Sequence, residues 1–444
     1  MINLLDPVFW TNLIDTAVKP PVFATSDFIF NITLFFATFF SIFFYFITLD
    51  GLSTRKIALH FRELIRFPMV TVQIPTYNEP VAVRCAEKCL EFDYPKDKYE
   101  VIIGDDSRDK SVSAFIDAFA AKCKGKVKVT RRGENIGYKA GNLNHMLKYS
   151  KGEIIVVFDS DFVPPKNFLK EVVKPFGSDR KIGGVQARWD FLNTKQSIIS
   201  KLAAGTLMVY HHLIMPVFNK NNVSFICGSA EAVRKDVLVK LGGWQNGSLT
   251  EDTEFSIRMM KSGYRTVYLQ DLLVKGEVPY NFKSFKKQQM RWAYGSTSAF
   301  LQHSKDILFS SIFNIRQKAL ISMTILGYIT APLFVALFLT GMLSFATNVP
   351  GPIDVPKFLF SLGENLFLTS GFIFAILMGF SRYGSYGKMT PTLAASIIIS
   401  SLTVGVLISF YVAKGFVKAL MGRPMQWHIV QKSGNEEIMP RHRI

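Results

Sequence analysis

Cysteine is scarce in this chain, with Cys85, Cys89, Cys123 and Cys227 the only four among 444 residues. Their spacing offers neither a disulfide framework nor the paired CxxC of a structural zinc site, which fits a reduced, cytoplasmic compartment. Acidic residues are also few, 34 against 52 Lys and Arg, for a net charge of +18. The basic excess does not gather into one arm. It lies around apolar segments and through a central region, so a lipid bilayer is the expected partner and nucleic acid is not. The first apolar stretch does not read as a secretory leader, because it is long, begins late and is preceded by Asp6, Asp15 and Asp27. Neither an appended regulatory domain nor a repeat-like basic carboxyl extension is expected.

Long apolar runs, by contrast, are plentiful: 49% of residues are hydrophobic and 40 are Phe. A bilayer core of ~30 Å needs about 20 apolar residues in a helix, and residues 28–49 supply that length. Arg55, Lys56, Arg62 and Arg66 follow closely, so the positive-inside rule places the central region in the cytoplasm and the amino terminus outside. Further spans are expected at about 320–345, 358–380 and 393–412. Three spans leave the tail outside, yet Lys414, Lys418, Arg423, Lys432, Arg441 and Arg443 favour the inside, so a segment that re-enters or lies in the interface, or a short further span, is expected. Residues 202–218 are apolar too, but His211 and His212 near their middle indicate a buried or interfacial helix. The division expected is an anchor at 1–66, a catalytic domain at 67–304, interfacial and transmembrane helices at 305–419, and a cytoplasmic tail at 420–444.

Between the membrane parts, short β-branched runs alternate with helical patterns, the signature of an α/β fold with a parallel sheet flanked by helices. Strands are expected at Val70–Ile74, Val101–Ile103 and Ile154–Phe158. Ligands gather beyond the carboxyl ends of such strands, and these ends carry PTYNE (75–79), GDD (104–106) and DSD (159–161). Thr76, Tyr77 and Glu79 suit a nucleobase; Asp105 and Asp106 suit a base imide or a ribose hydroxyl. By itself each motif is equally an ordinary turn or a helix cap. Asp159 and Asp161, two apart, can reach one Mg2+ or Mn2+ while Ser160 points away. Further on, Thr250 is placed to cap a helix whose first turn holds Glu251 and Asp252, and QQMRW (288–292) puts Gln288 one turn before Arg291 and Trp292.

DD, DSD, TED and QQMRW in this order resemble the processive family 2 glycosyltransferases: cellulose synthase, hyaluronan synthase and the plant cellulose-synthase-like mannan and glucan synthases. The resemblance implies a glycosyltransferase A, Rossmann-like domain. It assigns Lys139, in the string GYKAGNLN (137–144), to phosphate, and Gln288 and Arg291 to the diphosphate, with Thr76, Tyr77, Glu79, Asp105, Asp106 and Asp159 as further donor contacts. Asp252 and Glu251 become the catalytic residues, with Asp252 the general base of one inverting displacement. Trp189 of VQARW (185–189), Cys227 and Gly228 of FICGSAEAVR (225–234), and Trp292 border the acceptor sugar. The donor is then a nucleotide sugar of the UDP-glucose or GDP-mannose class. The acceptor is a growing β-linked polysaccharide, of glucan or mannan type, threaded through the membrane helices. The tail segment WHIVQK (427–432) departs from the family's FxVTxK gating segment at three positions and matches it at Lys432. The alternative is transfer of one sugar to a polyprenyl phosphate or ceramide; a membrane assembly protein keeping an inactive transferase domain is a third reading, opposed by the intact acidic stations.

Overall fold

The computed structural model describes residues 7–54, 61, 64, 66–347, 355–383, 390–425 and 434. Arg55, Lys56, Arg62 and the gating-like segment 427–432 lie outside them. The centre of the molecule is a seven-stranded sheet in the order β3-β2-β1-β4-β6-β5-β7. Its strands are β1 (Val70–Thr76), β2 (Tyr99–Asp105), β3 (Val127–Thr130), β4 (Ile154–Val157), β5 (Ile182–Phe191), β6 (Glu231–Arg234) and β7 (Arg265–Gly276). The expected strands are all present, and β1 and β4 are buried along their whole length, as strands covered by helices on both faces must be.

The sheet is mixed rather than purely parallel. Strands β3, β2, β1 and β4 run together, β5 and β7 run together, and β6 pairs antiparallel with both β4 and β5. The cause is the route of the chain. A helical segment, Ile198–Lys220, separates β5 from β6, and the turn at Cys227–Ala230 delivers the chain to the end of the sheet where β4 stops. From there β6 can only run back. With four residues it has no pattern of its own to announce the reversal.

Among the described residues, four helical stretches are long and apolar enough to cross a membrane: Pro7–Ser53, Ile198–Lys220, Ile315–Thr347 and Pro391–Leu420. The second differs from the others, since 67% of its apolar window is buried inside the protein, against 17–33% for the rest. Its middle is a π-helical turn, Val209–Ile214, that contains His211 and His212, and it packs on the β5–β7 side of the sheet and on the first long helix. The segment expected at 358–380 is bent: Val355–Thr369 and Gly371–Ser381 meet at 63°. The bend is tied to the first long helix, whose Ser41 Oγ accepts the Gly371 amide at 2.8 Å and whose Tyr45 hydroxyl bonds Ser370 Oγ at 2.7 Å. At the end of that helix Asp50 pairs with Lys220 at 3.2 Å and Arg316 at 2.8 Å, joining three of the apolar stretches at one level.

Candidate active site

The residues singled out in the sequence converge on one cavity of about 140 Å³ beyond the carboxyl ends of β1 and β4. Thr76, Tyr77, Glu79, Asp106, Lys139, Asp159, Asp161, Trp189, Cys227, Gly228, Glu251, Asp252, Gln288, Arg291 and Trp292 all line it. The first wall is the β1 turn. Asn78, at φ +55°, takes the left-handed conformation asparagine tolerates, and its Oδ1 accepts the amides of Arg108 and Asp109, docking the β2 turn against it. Ser160 does not point away from the cleft: it lines it, and its hydroxyl donates to Glu79.

Asp105 stands apart. Its carboxylate is enclosed and accepts Ser107 N at 3.0 Å, Ser113 Oγ at 2.7 Å and Arg131 Nε at 2.9 Å, so it fastens the β2 turn rather than lining the cleft. Asp106 does face inward, braced by the Arg132 guanidinium. Burial pushes the Asp106 carboxyl up and Arg132 opposes it. Arg132 also donates to Tyr138 O at 3.1 Å, folding residues 132–138 over this side of the site. Sequence reasoning missed Arg132; its only signal is a basic pair just before the Lys139 string.

Lys139 sits at the electrostatic centre, with its Nζ 2.7 Å from Asp159 Oδ1, 3.3 Å from Glu251 Oε1 and 2.6 Å from Gly228 O. Burial alone lowers an ammonium pKa, but here the two carboxylates outweigh it and hold the pKa well above the usual range. Lys139 is a fixed positive charge at any physiological pH. Asp161 is buried, and its Oδ2 accepts the Glu277 amide at 2.8 Å, which orients the carboxylate. Among the described residues no group of three or more His, Cys, Asp and Glu gathers to hold a metal alone. Asp159 and Asp161 do fit a cation that arrives with a diphosphate, since Mg2+ and its like take one or two carboxylates and complete their shell with phosphate oxygen and water.

Opposite lies the helix Glu251–Lys261. Thr250 occupies its cap position, but the hydroxyl makes no cap bond, because the side chain is turned against Gly295 of the long helix Phe282–Phe309. Asp252 Oδ1 accepts its neighbour Thr253 N at 2.8 Å. Burial first, and the Glu251 carboxylate second, push the Asp252 carboxyl up to about 7. A carboxylate poised near neutrality is what a general base working at neutral pH needs. The helix Phe282–Phe309 begins with an Asn281 cap, 2.8 Å from Ser284 N, and carries Gln288, Arg291 and Trp292 in its first turns. Gln288 Oε1 and Arg291 Nε are buried with no hydrogen-bond partner among the described residues. Buried polar atoms of this kind carry a desolvation cost unless a ligand meets them.

Of the acceptor candidates, Trp189 is the most committed to the protein interior. Its indole N–H donates to Ser229 O at 2.9 Å and its ring lies 4.8 Å from that of His211, leaving an edge on the cleft. Cys227 is half-buried, with burial and then Asp252 raising its thiol well above the usual range, so it is no nucleophile.

A family model described as "Glycosyltransferase like family 2" matches residues 68–295, a stretch that runs from β1 through QQMRW. "Probable glucomannan 4-beta-mannosyltransferase 3" of Oryza sativa subsp. japonica is 32% identical over 255 residues, 55% of this chain and 46% of that protein. "Probable glucomannan 4-beta-mannosyltransferase 10" of Arabidopsis thaliana is 31% identical over 251 residues, 54% of this chain and 45% of that protein. The matched region thus spans about half the length of these relatives. Among solved structures, a mannosyltransferase from Pyrobaculum calidifontis in complex with GDP-mannose and Mn2+ aligns over 90% of this chain and 99% of its own, with a TM-score of 0.61 and 19% identity. At that identity the likeness shows the fold.

Proposed function

Because the chain belongs to the family 2 glycosyltransferases, we propose that it moves a hexose from a nucleotide sugar to a hydroxyl of a β-linked glycan, with inversion. The observation that carries this reading is the meeting of Asp252 with Asp159, Asp161, Lys139 and Arg291 around one cavity. Asp252 takes the acceptor proton as the hydroxyl oxygen bonds to the anomeric carbon. The bond from that carbon to the diphosphate breaks, and the nucleoside diphosphate leaves with the electron pair. Lys139, Gln288 and Arg291 meet the charge that collects on the leaving group, which is where electrostatic catalysis does most. Asp159 and Asp161 would hold a divalent cation, which when bound would supply Lewis-acid neutralisation of the same charge. Asp106 with Arg132 borders the nucleotide end, and Trp292 forms a flat floor for the acceptor sugar.

The relatives' names favour mannose over glucose as the transferred sugar, within a glucan or mannan product. Polymerisation and passage through the helices after Trp292 are part of the proposal. So is the topology. With the bent pair 355–381 re-entrant rather than crossing, two spans follow the catalytic domain and Lys414, Lys418 and Arg423 return to its side of the membrane, as their charge requires. Incubation of the membrane-embedded protein with Mn2+ or Mg2+ and a panel of GDP- and UDP-sugars tests the reading. Release of nucleoside diphosphate with a ladder of β-linked oligosaccharide supports it. One lipid-extractable sugar converts it to the lipid-acceptor alternative, and no release under any donor removes it.

A further inference from the structure

Behind the cleft, at the head of β6, Glu231 is wholly buried. Its Oε2 accepts the Gly228 amide at 2.6 Å, while Oε1 has no hydrogen-bond partner among the described residues. Burial, and then the charge of Asp252, push this carboxyl well above the usual range. The Cys227–Ala230 turn in front of it is awkward backbone. Gly228 has φ +82° and Ala230 φ +52°, the left-handed region that a Cβ disfavours. Such a turn keeps its shape only when its surroundings over-determine it. Gln186 grips one side, accepting Cys227 N at 2.7 Å and donating to Ser229 O at 2.9 Å and Ala230 O at 3.2 Å. Glu231 grips the residue that Gln186 does not.

The other face of that residue is the reacting centre. Gly228 O accepts Lys139 Nζ at 2.6 Å, and a Cβ at 228 would lie 3.1 Å from Asp252 Oδ2 and 3.2 Å from Lys139 Nζ. We propose that Glu231 is a positioning residue: as the hydrogen-bond acceptor behind Gly228, it holds the turn in the shape that seats Lys139 beside Asp159 and leaves Asp252 its place in the cleft. This rests on the transferase reading above. A glutamine keeps the acceptor oxygen and the volume without a charge; a leucine keeps the volume alone.

The experiment compares Glu231→Gln and Glu231→Leu with the natural protein in two assays: nucleoside-diphosphate release from the active donor, and calorimetric binding of the nucleoside diphosphate itself with Mn2+. Glu231→Gln is expected to stay within about threefold of wild type in both, with an unmoved acid limb in its pH–rate profile. Glu231→Leu, short of one acceptor for a buried amide, is expected to lose roughly 10- to 100-fold in kcat/KM and to bind the diphosphate several-fold more weakly. Leucine as good as glutamate overturns the proposal, because packing alone then suffices; glutamine as poor as leucine overturns it too, because a charge is then required. A wild-type protein that releases nothing defeats the transferase reading, and the binding assay still decides what Glu231 does to Lys139.

Discussion

Glu251→Gln perturbs the proposed base without touching it. Glu251 and Asp252 share the first turn of one helix, and after burial the Glu251 charge is the largest cause that raises Asp252. For two neighbouring carboxylates at an effective dielectric of about 20, removing one charge is worth on the order of 2 kcal/mol, or between one and two pH units. The substitution also relieves Lys139 of one carboxylate, 3.3 Å away, so its field on Asp252 strengthens in the same direction. The sign follows from the role. Asp252 must be ionised to take a proton, so kcat/KM for the natural protein should fall tenfold per unit below about 7 and level off above it. In Glu251→Gln the limb should move down to roughly 5 to 6. Nucleoside-diphosphate release measured at low donor concentration from pH 5 to 9 reads both limbs. A limb that stays near neutrality in the variant, or moves upward, refutes the assignment of Asp252 and its neighbour.

Two further substitutions separate framework from chemistry. Asp105→Ala removes an enclosed carboxylate that holds Arg131, Ser113 and Ser107, and should lower stability by about 1–3 kcal/mol while leaving donor KM within a few-fold, read by thermal unfolding in detergent and by kinetics. A tenfold rise in donor KM at unchanged stability contradicts that placing. Gly415→Val puts a Cβ where only 2.4 Å separates it from Met290 O, inside QQMRW. The helix Val406–Leu420 must then shift from the helix that carries Arg291, with an overpacking cost on the order of 1–3 kcal/mol and a loss of turnover. Unaltered melting and turnover show that the two helices are not set by this contact.

Much of the architecture is legible because strand signals are local. The runs at 70–74, 101–103 and 154–158 are β-branched and bounded by turn residues, and the acidic stations follow them directly. What stays hidden depends on partners far along the chain. Four residues of β6 give no period from which to read direction, and the bend at Ser370 answers to Ser41 and Tyr45, more than three hundred residues earlier. Asp105 and Asp106 are adjacent and chemically alike, yet Arg131 draws one into the framework and Arg132 leaves the other on the cleft. Glu231 carries no motif of its own; only the fold reveals that it lies behind Gly228, with Lys139 and Asp252 on the far side.

The central claim is that one carboxylate removes the acceptor proton while a separate set of groups holds the donor. Asp252→Asn, assayed side by side for turnover and for binding of the nucleotide sugar with Mn2+, tests it most directly. The account predicts a loss of roughly 10²- to 10⁴-fold in kcat with donor affinity kept within a few-fold. Turnover preserved in the variant, or donor affinity lost along with it, contradicts the division of labour on which the mechanism stands.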